Sequence, residues 1–162
     1  MPEPAVPPTA PYEADFYAWT QDQARRLREA AAARVNLPLD FENLAEEVES
    51  MGRSQASAVR SHLARVVEHL LKLGYSPAVG PRAGWRQSVS IHRVDALDEL
   101  VDSPGLRPRL ELARAYAIGR AYAVAGLEED GVAGRDLPSE CPYTLDQVLD
   151  PDGWPANRHG LE

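Results

Sequence analysis

The sequence predicts an all-α protein: a single-domain helical bundle of five main helices followed by a short C-terminal one. Three observations carry that expectation. Apolar residues recur at steps of three and four, as in Val59, Leu63, Val66, Leu70 and Leu73, the period that places them on one side of a helix. Capping residues and Gly or Pro stops bracket each such run. No segment has the period-two alternation of a half-buried strand. The length of 162 residues suits one domain with a real core.

The division expected is a Pro-rich flexible arm at 1–11, a helical domain at 12–152 and an irregular tail at 153–162. The arm holds five prolines, which favour extended polyproline geometry and preclude a helix. The first helix runs from Glu13–Asp15 to about Arg34, with Phe16, Trp19, Gln23, Leu27 and Ala30 as its buried stripe. The central stretch Leu39–Gly74 reads as a short helix, a turn and a long helix. Asp40 caps the short helix and Leu39 staples onto Leu44. Phe41, Leu44, Val48 and Met51 then face the seam of the long helix. Gly52 supplies the left-handed turn and Ser54 the next N-cap.

Gly74 and Pro77 stop that long helix. A fourth helix spans about 84–102, with Trp85, Val89, Ala96 or Leu97 and Leu100 inward. Pro108 opens a fifth, Pro108–Gly126, because a proline there needs no intrahelical donor. Its alanines and glycines suggest close packing against a neighbouring helix. Tyr122 lies six positions after Tyr116, so the two fall on different faces. Thr144 and Gln147 make a capping-box pattern that opens the short last helix, closed by Pro151. Trp154 lies in the tail, and the terminal Leu161–Glu162 has the look of a cloning scar.

Composition narrows the function classes. The chain has 25 acidic and 17 basic residues, a formal charge of -8. That balance argues against a nucleic-acid surface and gives no attraction to an anionic membrane. The opening residues lack the basic and apolar regions of a signal peptide. Cys141 is the only cysteine, so no intrachain disulfide can form, and a cytoplasmic location is the economical expectation.

Several phrases in order resemble the bacterial domain of unknown function 29 family. They are YEADFYAWTQDQARRLR at 12–28, DFENLAEEVESMGRS at 40–54 and HLLKLGYSP at 69–77. The Trp85 segment, DSPGLRP at 102–108 and ECPYTLDQVLDP at 140–151 follow. The resemblance covers nearly the whole domain and implies a small, all-helical bacterial protein. It carries over no catalytic residue.

Four constellations merit chemical scrutiny. His62 and His69 are seven apart on one helix and so point to a similar side, and His92 approaches them if the helices pair. Three imidazoles would hold zinc or another transition metal. Against this, the chain has no HxxxH, HExxH or ExxH, and a hydrogen-bonded, partly buried imidazole is the commoner fate. Glu42, Glu46 and Glu49 form a carboxylate line that reads as a solvated helix face. Arg82, Arg86 and Arg93 beside Trp85 read as an aromatic anchor with arginines paired to acidic helices. Cys141 precedes a helix start but has no base nearby, so it reads as an inert thiol. No GxSxG, Walker or dinucleotide glycine motif occurs.

The features above background are apolar faces and aromatic anchors. They point to a protein-interaction module without catalytic activity, binding a protein partner or a second copy of itself. The alternative is a metal-dependent bundle enzyme using His62, His69 and His92. No bound metal or cofactor is expected on the first reading.

Overall fold

The computed structural model describes residues 11–162, so all but the last residue of the Pro-rich arm lies outside the described residues. The helices are α1 (Phe16–Ala32), α2 (Phe41–Tyr75), α3 (Arg82–Asp102), α4 (Leu112–Leu127) and α5 (Leu145–Leu149). Two 3₁₀ turns, Pro104–Arg109 and Gly134–Asp136, sit on either side of α4 in sequence. Among the described residues there is no strand, and the all-helical bundle stands as expected. No helix there is long and apolar enough to cross a membrane.

The chain forms two compact units, one of residues 11–56 with Leu100–Arg109 and one of Ser57–Glu99 with Leu110–Glu162. In the first, Asp15 caps α1 by accepting from Ala18 N at 2.9 Å, and its other oxygen accepts from Gly105 N at 2.7 Å. A Cβ on Gly105 would lie 2.6 Å from that carboxylate, so the glycine is what admits it. Ser103 Oγ accepts from Tyr17 N at 3.0 Å and donates to Gln55 Oε1 at 2.6 Å. These bonds satisfy the first orphan donors of α1 and tie it to the Pro104–Arg109 turn.

The expected break at Gly52 does not exist. α2 passes through it as one helix of 35 residues, and Gly52 and Ser54 cap nothing. Gly52 is buried, and a Cβ there would stand 2.4 Å from Thr20 Oγ1. The residue is glycine for close approach to α1, and its position between two apolar runs imitated a turn. The faces turn accordingly. α1 buries Thr20 and Ala24, while Phe16, Trp19, Gln23, Leu27 and Ala30 are half-buried. On α2 the buried positions of this unit are Ala45 and Gly52, whereas Leu44 is 40% and Met51 48% exposed. Leu39 and Leu44 both face solvent, so the staple is absent too. Small residues won these positions because two helices approach most closely where side chains are short. Asp40 does cap α2, accepting from Asn43 N at 3.2 Å.

In the second unit the seam holds as read. Val59, Leu63, Val66, Leu70 and Leu73 are all at most 2% exposed, beside Val67 and Leu71. From α3 come Val89 and Ala96, and from α4 Ala115, Tyr116, Ala123 and Leu127. The close packing expected of α4 centres on Gly119, where a Cβ would meet Ala64 O at 2.4 Å. Tyr116 is buried and Tyr122 exposed, the two faces their spacing required. Pro108 lies in the 3₁₀ turn rather than in α4, which starts at Leu112. Tyr116 Oη and Arg120 Nε both donate to Pro138 O, at 2.6 and 2.8 Å, and fix the loop after α4. The Thr144–Gln147 capping box forms, with bonds of 3.2 and 2.9 Å.

The arginines of α3 do not pair with acidic helices. Arg93 is 1% exposed and donates to Val148 O at 2.8 Å and Gly153 O at 2.7 Å. Arg82 donates to Leu73 O at 3.0 Å, where Asn157 Nδ2 also donates at 2.7 Å. Together they satisfy carbonyls left open at the end of α2. Trp154 docks, with the guanidinium carbons of Arg86 and Arg93 at 5.0 and 5.2 Å from its ring. The tail is thus irregular but bonded. Arg82 Nε also reaches the Glu162 carbonyl at 3.0 Å.

The revised faces separate two leucines that the sequence put in one core. Leu63→Ala should cost about 2–5 kcal/mol, as for cavity-forming changes in packed cores. Leu44→Ala should stay within about 0.5 kcal/mol, as exposed positions do. Urea denaturation of both variants checks this, and comparable losses would return Leu44 to the interior.

Candidate metal centre

The second unit brings two of the three candidate histidines together. His62 on α2 and His92 on α3 place their Nδ1 atoms 3.0 Å apart, with rings tilted at 42°. Asp95, one turn after His92, aims Oδ2 at the same point, 3.7 Å from His62 Nδ1 and 4.0 Å from His92 Nδ1. His62, His92 and Asp95 are all half-buried. The cluster is accessible from solvent yet held by two long helices.

His69 is not part of it. Residues seven apart share a helix face but differ by about 10.5 Å along the axis, too far for a common ion. His69 Nδ1 is instead buried without a hydrogen-bond partner among the described residues. The third member is Asp95, which the triad expected from the sequence did not include. Its signal was present as His92-x-x-Asp95, an i, i+3 pair that stacks one side chain above the other.

The surroundings favour the neutral imidazole at His92 and at His69. Burial is the main cause pushing the His92 pKa below its ordinary 6.5, with His62 adding and Asp95 opposing. Burial does the same to His69, helped by Lys72, Arg65 and His92 and opposed by Glu68. Glu68 is itself buried, which resists its ionisation. Bonds from Lys72 Nζ at 2.7 Å and Arg65 Nη1 at 2.8 Å prevail and hold it ionised. Without an ion, the 3.0 Å approach is an imidazole–imidazole hydrogen bond, one Nδ1 donating to the other. A second proton would set two cations against each other.

The other constellations stay apart from chemistry. Glu42 and Glu46 are exposed, and Glu49 pairs with Arg28 at 2.6 Å and Arg53 at 3.4 Å. Cys141 Sγ lies 3.4 Å from Tyr143 O, and burial pushes its thiol pKa up, away from a reactive thiolate.

Fold and site define a class: a helical protein with a His–His–Asp cluster at the crossing of two long helices. The chain belongs to the family described as Domain of unknown function DUF29, which it matches over residues 11–154. It is similar to an alpha-helical protein of unknown function from Rhodospirillum rubrum, known from a crystal structure. The identity is 33%, over 90% of this chain and 92% of that one, with a TM-score of 0.76. No curated protein matches the chain. The family resemblance read from the sequence is therefore correct.

The lowered histidine pKa values set a pH dependence. Unfolded histidines take up protons near pH 6.5, and the folded ones only below that. Between those limits the unfolded state binds more protons, so stability falls as the solution is acidified. The urea midpoint should be lower at pH 5.5 than at pH 7.5, and His69→Gln should flatten part of that difference. Equal midpoints for the parent protein would show that these histidines are not held neutral.

Proposed function

We propose that the chain is a metal-binding helical protein whose His62, His92 and Asp95 hold one divalent transition-metal ion. The size of the ligand triangle carries this reading. Sides of 3.0, 3.7 and 4.0 Å leave a point about 2.1 Å from each donor atom, the length of a Zn–N or Zn–O bond. Two neutral imidazoles and a carboxylate suit zinc, cobalt, nickel or ferrous iron, and suit magnesium or calcium poorly. An ion with three protein ligands keeps a position for water or a substrate oxygen, as catalytic rather than structural sites do. The reading keeps two residues of the sequence-based alternative and exchanges His69 for Asp95.

Titration of chelator-treated protein with Co(II), followed by its visible absorption, tests it. One equivalent should bind. His62→Ala and His92→Ala should abolish the absorption, Asp95→Ala should weaken binding at least tenfold, and His69→Ala should leave it unchanged. A cluster that is only a hydrogen-bonded imidazole pair would take up no stoichiometric cobalt.

A second reading, an interaction module that associates with itself, is favoured by one observation in the first unit. Tyr12 packs edge-on to Phe16 and Trp19, at centroid distances of 5.6 and 4.9 Å, yet Tyr12 remains 52% exposed. Tyr12 and Phe16 line an open cavity of about 430 Å³ with Glu13, Gln55 and Asp102. An aromatic cluster left partly open is the kind of surface that a second chain covers. Light scattering of the full chain and of a form starting at Tyr12 should give a dimer lost with residues 1–11. A monomer in both forms removes the association reading.

A further inference from the structure

Beside the histidine pair the second unit carries a cavity of about 390 Å³, lined by Arg60, Ser61, His62, Arg65, His92 and Tyr122 among others. Resting on the metal reading above, we propose that this cavity binds a small organic oxyanion. Its phosphate or carboxylate oxygen would occupy the ion's open position, and Arg60 and Arg65 would hold the remaining oxygens.

Charge is the first ground. The chain as a whole is strongly acidic, with a formal charge of -8, yet two guanidiniums line this cavity. Arg60 is half-buried, and its one bond among the described residues is from Nη2 to Ser57 Oγ at 3.1 Å. It has no carboxylate partner there, so its charge is available to an incoming anion. Arg65 does have one, Glu68 at 2.8 Å, but Glu68 is shared with Lys72 at 2.7 Å. Two cations against one carboxylate leave a positive excess beside the site, and a bound divalent ion would add to it.

Geometry is the second ground. The Arg65 guanidinium carbon stands 4.6 Å from the centre of the Tyr122 ring, which restricts the guanidinium plane. Nη1 goes to Glu68, and no other Arg65 nitrogen has a protein acceptor among the described residues. A guanidinium edge held in this way fits the paired oxygens of a phosphate or carboxylate. The third ground is size. The cavity exceeds what inorganic phosphate needs and falls in the range of small-molecule sites. Ile118 and the Tyr122 ring supply apolar wall for an organic body.

The test uses the full chain loaded with one equivalent of Co(II), titrated with inorganic phosphate, phenyl phosphate and benzoate at constant ionic strength. A saturable shift of the cobalt spectrum is expected with at least one of them, with an organic anion tighter than inorganic phosphate. The tighter of phenyl phosphate and benzoate identifies the head group. Arg60→Gln and Arg65→Gln should each weaken that response at least tenfold while leaving cobalt stoichiometry and the anion-free spectrum unchanged. Cobalt uptake with no saturable anion response, or a response indifferent to both arginines, overturns this inference and leaves the metal reading standing. Failure to take up cobalt overturns both.

Discussion

The uninterrupted backbone ladder of α2 is the constraint that the other features answer to. Its hydrogen bonds run from Phe41 to Tyr75 without a break, so every residue on it is fixed in angle and height at once. A neighbour that packs closely must find a short side chain at the right level. In the first unit that level is Gly52, facing Thr20, and in the second it is Ala64, whose carbonyl faces Gly119. Both glycines are conformationally ordinary. They are there because a Cβ would occupy space already taken.

The same rigidity decides which histidine can act. His62 and His69 share a face, but a helix cannot bring them to one level, so only His62 meets His92 and Asp95. α3 resolves the matching problem by placing His92 and Asp95 one turn apart, both turned towards His62. A cluster assembled on two helices in this way needs no flexible loop to position its side chains.

The buried arginines of the second unit are satisfied largely by backbone oxygen. Arg93 and Arg82 give their hydrogen bonds to carbonyls near the ends of α5 and α2, and Asn157 joins Arg82 at Leu73 O. Burial lowers the Arg93 pKa from its usual value, with Asp150 opposing that shift. One Arg93 nitrogen, Nη1, has no hydrogen-bond partner among the described residues. These arginines fasten the C-terminal tail to the helices, a structural duty different from that of Arg60 and Arg65, which line the cavity beside the histidine pair.

By itself the sequence determined the all-helical class, the C-terminal end of α3, the capping box at Thr144 and the seam from Val59 to Leu73. Each of these depends on local periodicity or on a cap whose partner lies within a few residues. It also determined the family, through phrases spread along the chain. Only the tertiary structure decided that Gly52 lies inside a helix, because a turn glycine and a packing glycine are the same letter. It alone turned Leu44 outward and buried Ala45, since which face is inward depends on where a neighbour can approach. The site divided along the same line: His62 and His92 were legible as candidates, and the pair His92-x-x-Asp95 was present unread. That Asp95 rather than His69 completes the triangle follows from the meeting of α2 and α3, a relation between residues 30 positions apart that no helical period encodes.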